Sequence, residues 1–107
     1  MRLLLEWKVL RIEYALKSLL KEFGIKANVW SLGAYYVDPR RLALVIAVPL
    51  DSDRASLQNN RAFLVRMERL LAIFNWETTA RDHVRFHIES QETVDRENNG
   101  NWLYHFR

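Results

Sequence analysis

The chain has no cysteine, only three glycines and two prolines in 107 residues, and no long uncharged apolar run. Without cysteine there is no disulfide framework. Thiolate-held zinc or iron-sulfur groups and cysteine nucleophiles are excluded for the same reason. Gly24, Gly33 and Gly100 stand far apart, whereas a phosphate-cradling loop or a dinucleotide fingerprint concentrates several glycines in one short segment. No stretch reaches the ~18 apolar residues of a membrane span. The run Leu3-Leu4-Leu5 after Arg2 is closed by Glu6 and Lys8. It is shorter than the roughly 7–15-residue apolar core of a secretion signal and reads as the first turn of a helix. These absences predict a cytoplasmic protein with no membrane association.

What is present is largely apolar. Half of the residues are apolar, 12% are aromatic and 27% are charged. That is too apolar for a disordered chain, and the length suits a single hydrophobic core, so one α+β domain over residues 1–107 is expected. The net charge is +3, from 16 basic and 13 acidic residues. Residues 2–26 lean basic and residues 89–97 acidic, but apart from Arg40-Arg41 no basic residues are adjacent. The surface therefore reads as mixed rather than as a phosphate-binding block.

Residues 2–23 predict one long helix. Leu5, Val9, Ile12, Leu16, Leu19 and Phe23 recur at steps of four and three and form one core stripe, stopped by Gly24 at the left-handed cap position. A second stripe, Leu3, Trp7, Leu10 and Tyr14, falls on the opposite side of the same helix. Residues 25–37, rich in β-branched and aromatic side chains, predict a strand with a bulge near Gly33. Asp38-Pro39-Arg40-Arg41 predicts a turn, and 42–48 a central strand closed by Pro49. Asp51, Asp53, Asn59 and Asn60 are candidate caps for a second helix that buries Phe63, Leu64, Met67, Leu70, Leu71 and Phe74 and ends near Asn75.

The last quarter alternates. Val84, Phe86 and Ile88 share one face and His83, Arg85, His87 and Glu89 the other, with the strand continuing to about Val94; residues 101–107 alternate too. A three-residue loop at Asn98-Asn99-Gly100 would join them as a second hairpin. The resulting αββαββ order predicts a two-layer sandwich, a four-stranded antiparallel sheet with two helices on one face. It resembles a circularly permuted ferredoxin-like fold, a likeness of fold class that implies no function.

Motifs for chemistry are sparse. On a strand, His83 and His87 would stand ~13 Å apart, too far to share a metal ion, and His105 would lie opposite Thr93. The serines lack a nucleophile elbow or a histidine at informative spacing, and the carboxylate pairs Asp51/Asp53 and Glu89/Glu92 read as a helix cap and a solvated edge. No catalytic residue, cofactor or metal is expected. Nucleic-acid binding is the alternative: Arg61, Arg66 and Arg69 on helix two, and Arg85, His87, His105 and Arg107 on an open sheet face, with Trp30, Tyr35 and Tyr36 as the remaining strand aromatics. The main expectation is protein association. A helix apolar on opposite sides needs a cover on both, so Leu3, Trp7, Leu10 and Tyr14 are the candidate partner-binding residues. An open face at Ala43, Val45 and Ala47 is a second candidate surface, and a homodimer is the simplest partner. Within one chain, helix two, or the loop 76–82 with Trp76, would be the alternative cover for the helix.

Overall fold

The computed structural model describes residues 2–106. Helix α1 (Arg2–Glu22) leads into strand β1 (Asn28–Leu32), a 3-10 turn (Pro39–Arg41) and strand β2 (Ala43–Val48). Helices α2 (Asp51–Gln58) and α3 (Arg61–Ile73) follow, then a 3-10 segment (Thr78–His83), strand β3 (Arg85–Ser90) and helices α4 (Gln91–Asn98) and α5 (Trp102–His105). The sheet order is β1-β2-β3, with β1 antiparallel and β3 parallel to the central β2.

The first half follows its sequence pattern in α1, the turn and β2, but the strand expected over residues 25–37 is confined to Asn28–Leu32, and Gly33 lies past its end instead of bulging it. Phe23 and Gly24 close α1 with hydrogen bonds back to its last turn, and Gly24 holds a φ of +74°. The Asp38 carboxylate accepts from the backbone N–H of Arg40 and so starts the turn that Pro39 presets. Gly33 follows β1 at φ +91°, where a Cβ would lie 2.0 Å from the Arg41 carbonyl oxygen. The hairpin closes over that point, so no larger residue fits. The second helix is split in two: Leu50 precedes α2, and Asn60 caps α3 by accepting from the Phe63 N–H.

The expected four-stranded antiparallel sheet and ferredoxin-like arrangement are not what forms. The helices α2 and α3 carry the chain back across the sheet, so β3 runs parallel to β2, as a crossover of this length permits. After Ser90 the chain turns helical. The Ser90 hydroxyl accepts from the Thr93 N–H at the start of α4. At the other end Asn99 adopts φ +52° and Gly100 φ +77°, and the Gly100 N–H bonds the Val94 carbonyl oxygen. That closure stops a helix, where a hairpin was expected. Asn101 then caps α5, accepting from Leu103 and Tyr104 N–H. His83 belongs to the 3-10 segment before β3, so it does not share a strand with His87.

The two sheet faces bury different things. Leu44, Ile46 and Val48 join Val9, Ile12, Leu16, Leu19 and Leu20 of α1 and Phe63, Met67, Leu70 and Leu71 of α3 in one core. Trp76 lies in this core as well, its indole N–H donating to the Pro39 carbonyl oxygen (3.1 Å). On the opposite face Trp30, Val45 and His87 lie in register across the three strands. Here α5 packs: the Trp102 ring meets Trp30 edge-on at 5.2 Å and Phe106 meets His87 at 5.5 Å. Val45 is completely buried, so the face expected to lie open is covered. Among the described residues, no helix is long and apolar enough to cross a membrane.

Candidate functional site

Helix α1 is apolar on two sides, and only one of them meets the core. Leu3, Trp7, Leu10 and Tyr14 are 80%, 61%, 56% and 76% exposed. Of the candidate covers within the chain, Trp76 is buried in the core, and α3 borders the strip through Ile73 without closing it. The exposed strip widens toward α3. Trp7, Leu10 and Tyr14 line a shallow cleft with Arg11, Ala15 and Phe74. A neighbouring cleft runs from Tyr14 to Leu70 and Ile73, with Ile73 68% exposed. Leu4 adds a further exposed side chain beside the first turn.

The cations beside this strip are held in place by the chain itself. The Arg11 guanidinium lies 5.5 Å from the centre of the Phe74 ring, and the Lys8 ammonium donates to the Asn75 carbonyl oxygen (3.0 Å). Arg66 pairs with Glu22 at 2.7 Å and lies over Phe23 at 5.9 Å. Such contacts spread the long side chains over apolar rings while their charge stays in water. They frame an apolar strip without covering it.

The arginines proposed for nucleic acid do not share one surface. Arg61, Arg66 and Arg69 lie on α3, which packs on the core face of the sheet. Arg85 is in register with Ala43 on the other face, and Arg107 lies outside the described residues. Of the candidate base-stacking aromatics, Trp30 is in contact with Trp102 and Tyr35 with Trp76. Tyr35 and Tyr36 sit in the loop after β1 rather than on a strand.

A polar network that sequence reading missed gathers where the parallel strands β2 and β3 end. The Asp51 carboxylate, in the first turn of α2, takes hydrogen bonds from the hydroxyls of Ser90 and Thr93 (the latter 2.8 Å) and from Arg96 (3.1 Å). In return Glu92, in the first turn of α4, accepts from the Asp51 backbone N–H at 2.7 Å. Two helix N-termini are thus joined by each other's carboxylates, the charge they favour. The hydrogen bonds from Ser90, Thr93 and Arg96 hold the Asp51 carboxyl at about 2.

Beside it, Glu89 joins three elements. Its carboxylate pairs with Arg54 of α2 and with His105 Nε2 (2.9 Å) of α5, while His105 Nδ1 meets Asn98 Oδ1 at 3.0 Å. Burial alone raises the Glu89 carboxyl, and the hydrogen bonds from Arg54 and His105 outweigh it, leaving it below the usual glutamate range. His105, expected on a strand opposite Thr93, therefore sits on a helix. Both of its ring nitrogens are engaged, the Ser90 hydroxyl is buried against a carboxylate, and the network ties α2, β3, α4 and α5 together. Among the described residues no three His, Asp or Glu side chains converge as metal ligands.

No protein-family model matches this chain, and no curated protein or solved structure matches it.

Proposed function

We propose that this protein is a small non-enzymatic interaction domain that self-associates through the apolar face of α1. The observation that carries the reading is the exposure of Leu3, Trp7, Leu10 and Tyr14 along one face, continued by Leu4 and Ile73. Large aromatic side chains bring about 150–250 Å² each. At their fractional exposures, Leu3, Trp7, Leu10, Tyr14 and Ile73 leave on the order of 700 Å² exposed, above the roughly 300–600 Å² of the largest patch on a typical monomer. A standard interface uses about 800 Å² from each partner. A second copy supplies the same strip, and symmetric dimers are the commonest oligomers.

Sedimentation equilibrium tests the proposal. The wild type is expected to be dimeric at micromolar concentration, and Trp7→Glu monomeric with an unchanged circular dichroism spectrum. A wild type that stays monomeric at that concentration overturns it.

A further inference from the structure

We infer that two copies meet with their α1 helices antiparallel, Leu3 against the partner's Tyr14 and Trp7 against the partner's Leu10. The inference rests on the self-association proposed above and adds its geometry. The exposed residues follow one another at steps of four, three and four, which draws a seam along the helix axis. Reversing that seam about the point between Lys8 and Val9 exchanges position 3 with 14 and position 7 with 10. Each aromatic side chain then faces a leucine, and the gap between the helices keeps one width along the contact. A parallel pairing about a two-fold axis sets every residue against its own copy. Trp7 would meet Trp7 and Tyr14 would meet Tyr14, while the leucine pairs between them left the helices too far apart to touch.

Charge points the same way. The next two positions on the seam are Lys17 and Lys21, both exposed. In a parallel pair each ammonium would face its own copy across the contact, a like-charge juxtaposition that disfavours the arrangement. In the antiparallel pair the two copies of each lysine lie at opposite ends of the contact, tens of ångströms apart at about 1.5 Å of rise per residue. Opposed helix dipoles favour the same orientation.

Because the chain has no native cysteine, nitroxide labels on single variants Lys17→Cys and Lys21→Cys report only the introduced sites. With a rise of 1.5 Å per residue, the antiparallel pair separates two copies of position 17 by about 25 Å along the axis and two copies of position 21 by about 38 Å. Pulsed dipolar spectroscopy is expected to show the longer distance at position 21. Equal, short distances at both positions in an intact dimer overturn the orientation and leave self-association standing. Absence of dipolar coupling at both, or coupling that survives the added Trp7→Glu change, overturns the α1 interface itself.

Discussion

Leu10 and Leu16 sit on opposite sides of α1, and truncating each to alanine measures what each side touches. Leu16 is completely buried, whereas Leu10 is 56% exposed. Both substitutions remove the same atoms and make the same change in helix propensity, so the difference between them isolates burial. At Leu16 the lost transfer free energy and the cavity left behind cost about 3 kcal/mol, within the range for buried leucines. At Leu10 less than half of the residue is covered, and full burial of a leucine is worth about 1.5–3 kcal/mol, so truncation costs the monomer below about 1 kcal/mol. Urea unfolding followed by circular dichroism, at a concentration where sedimentation shows monomer, reads both values. With a slope of about 1.5 kcal/mol per molar urea, the Leu16→Ala midpoint falls by about 2 M and that of Leu10→Ala by well under 1 M. At high concentration the wild-type midpoint rises by mass action, and Leu10→Ala loses most of that rise. Equal costs at the two positions in dilute solution would refute the reasoning, because Leu10 would then be covered within the monomer.

The Asp51 carboxyl stands at about 2 in the folded protein, below its unfolded value of about 3.9. A depressed folded value contributes stability that is fully present above the unfolded value and is lost as pH falls through the folded one. Stability is therefore expected to decline from about pH 4 to pH 2, and Asp51→Asn to flatten that decline. The Asp38 carboxyl, held near the same value first by its hydrogen bond from the Arg40 side chain, titrates in the same window and keeps part of the slope. Identical acid profiles for Asp51→Asn and the wild type would contradict the cross-linked helix ends. Gly33→Ala is expected to lower the unfolding midpoint far more than Gly24→Ala. Both positions hold positive φ, but only at Gly33 does a Cβ strike the backbone, while at Gly24 the space is open and the cost is about 1 kcal/mol. Thermal unfolding compares the two, and equal shifts would mean that the Gly33–Arg41 approach is not required.

The fold was legible where one structure satisfies the pattern and doubtful where two do. In α1 the core stripe persists for six residues at helical spacing, and no strand reading buries the same set. The central place of β2 was readable because its residues are apolar on both parities, which only a strand covered on both faces requires. The C-terminal quarter fails on two ambiguities. Asn-Gly serves a tight hairpin turn, but the same pair of left-handed residues closes α4 through the Gly100 N–H to the Val94 carbonyl. Trp102, Tyr104 and Phe106 alternate like a strand, yet α5 uses Trp102 and Phe106 to cover Trp30 and His87 and leaves Tyr104 exposed. The available clue was Ser90, an N-cap residue followed by Glu92 in the first turn of a polar segment.

The two candidate sites differ in legibility for a physical reason. A helix converts sequence spacing into a surface at fixed angles, so Leu3, Trp7, Leu10 and Tyr14 declare a common face before any tertiary structure is known. What spacing alone leaves open is whether another element covers that face. The structure answers this by burying Trp76 in the core beneath Pro39 and leaving the strip exposed. In the network around Asp51 and Glu89, the links from α2 to β3 and α4 join positions some 35 to 45 residues apart in sequence. Such a contact has no period, and it arises only because β3 lies parallel to β2 and brings the starts of α2 and α4 to the same end of the sheet. Reading residues 91–107 as the end of a strand and a hairpin removed α4 and its N-terminus altogether, so the error in topology and the missed network share one cause. The α1 strip depends on neither strand direction nor the C-terminal helices, which is why the proposed interface stands independently of the corrected fold.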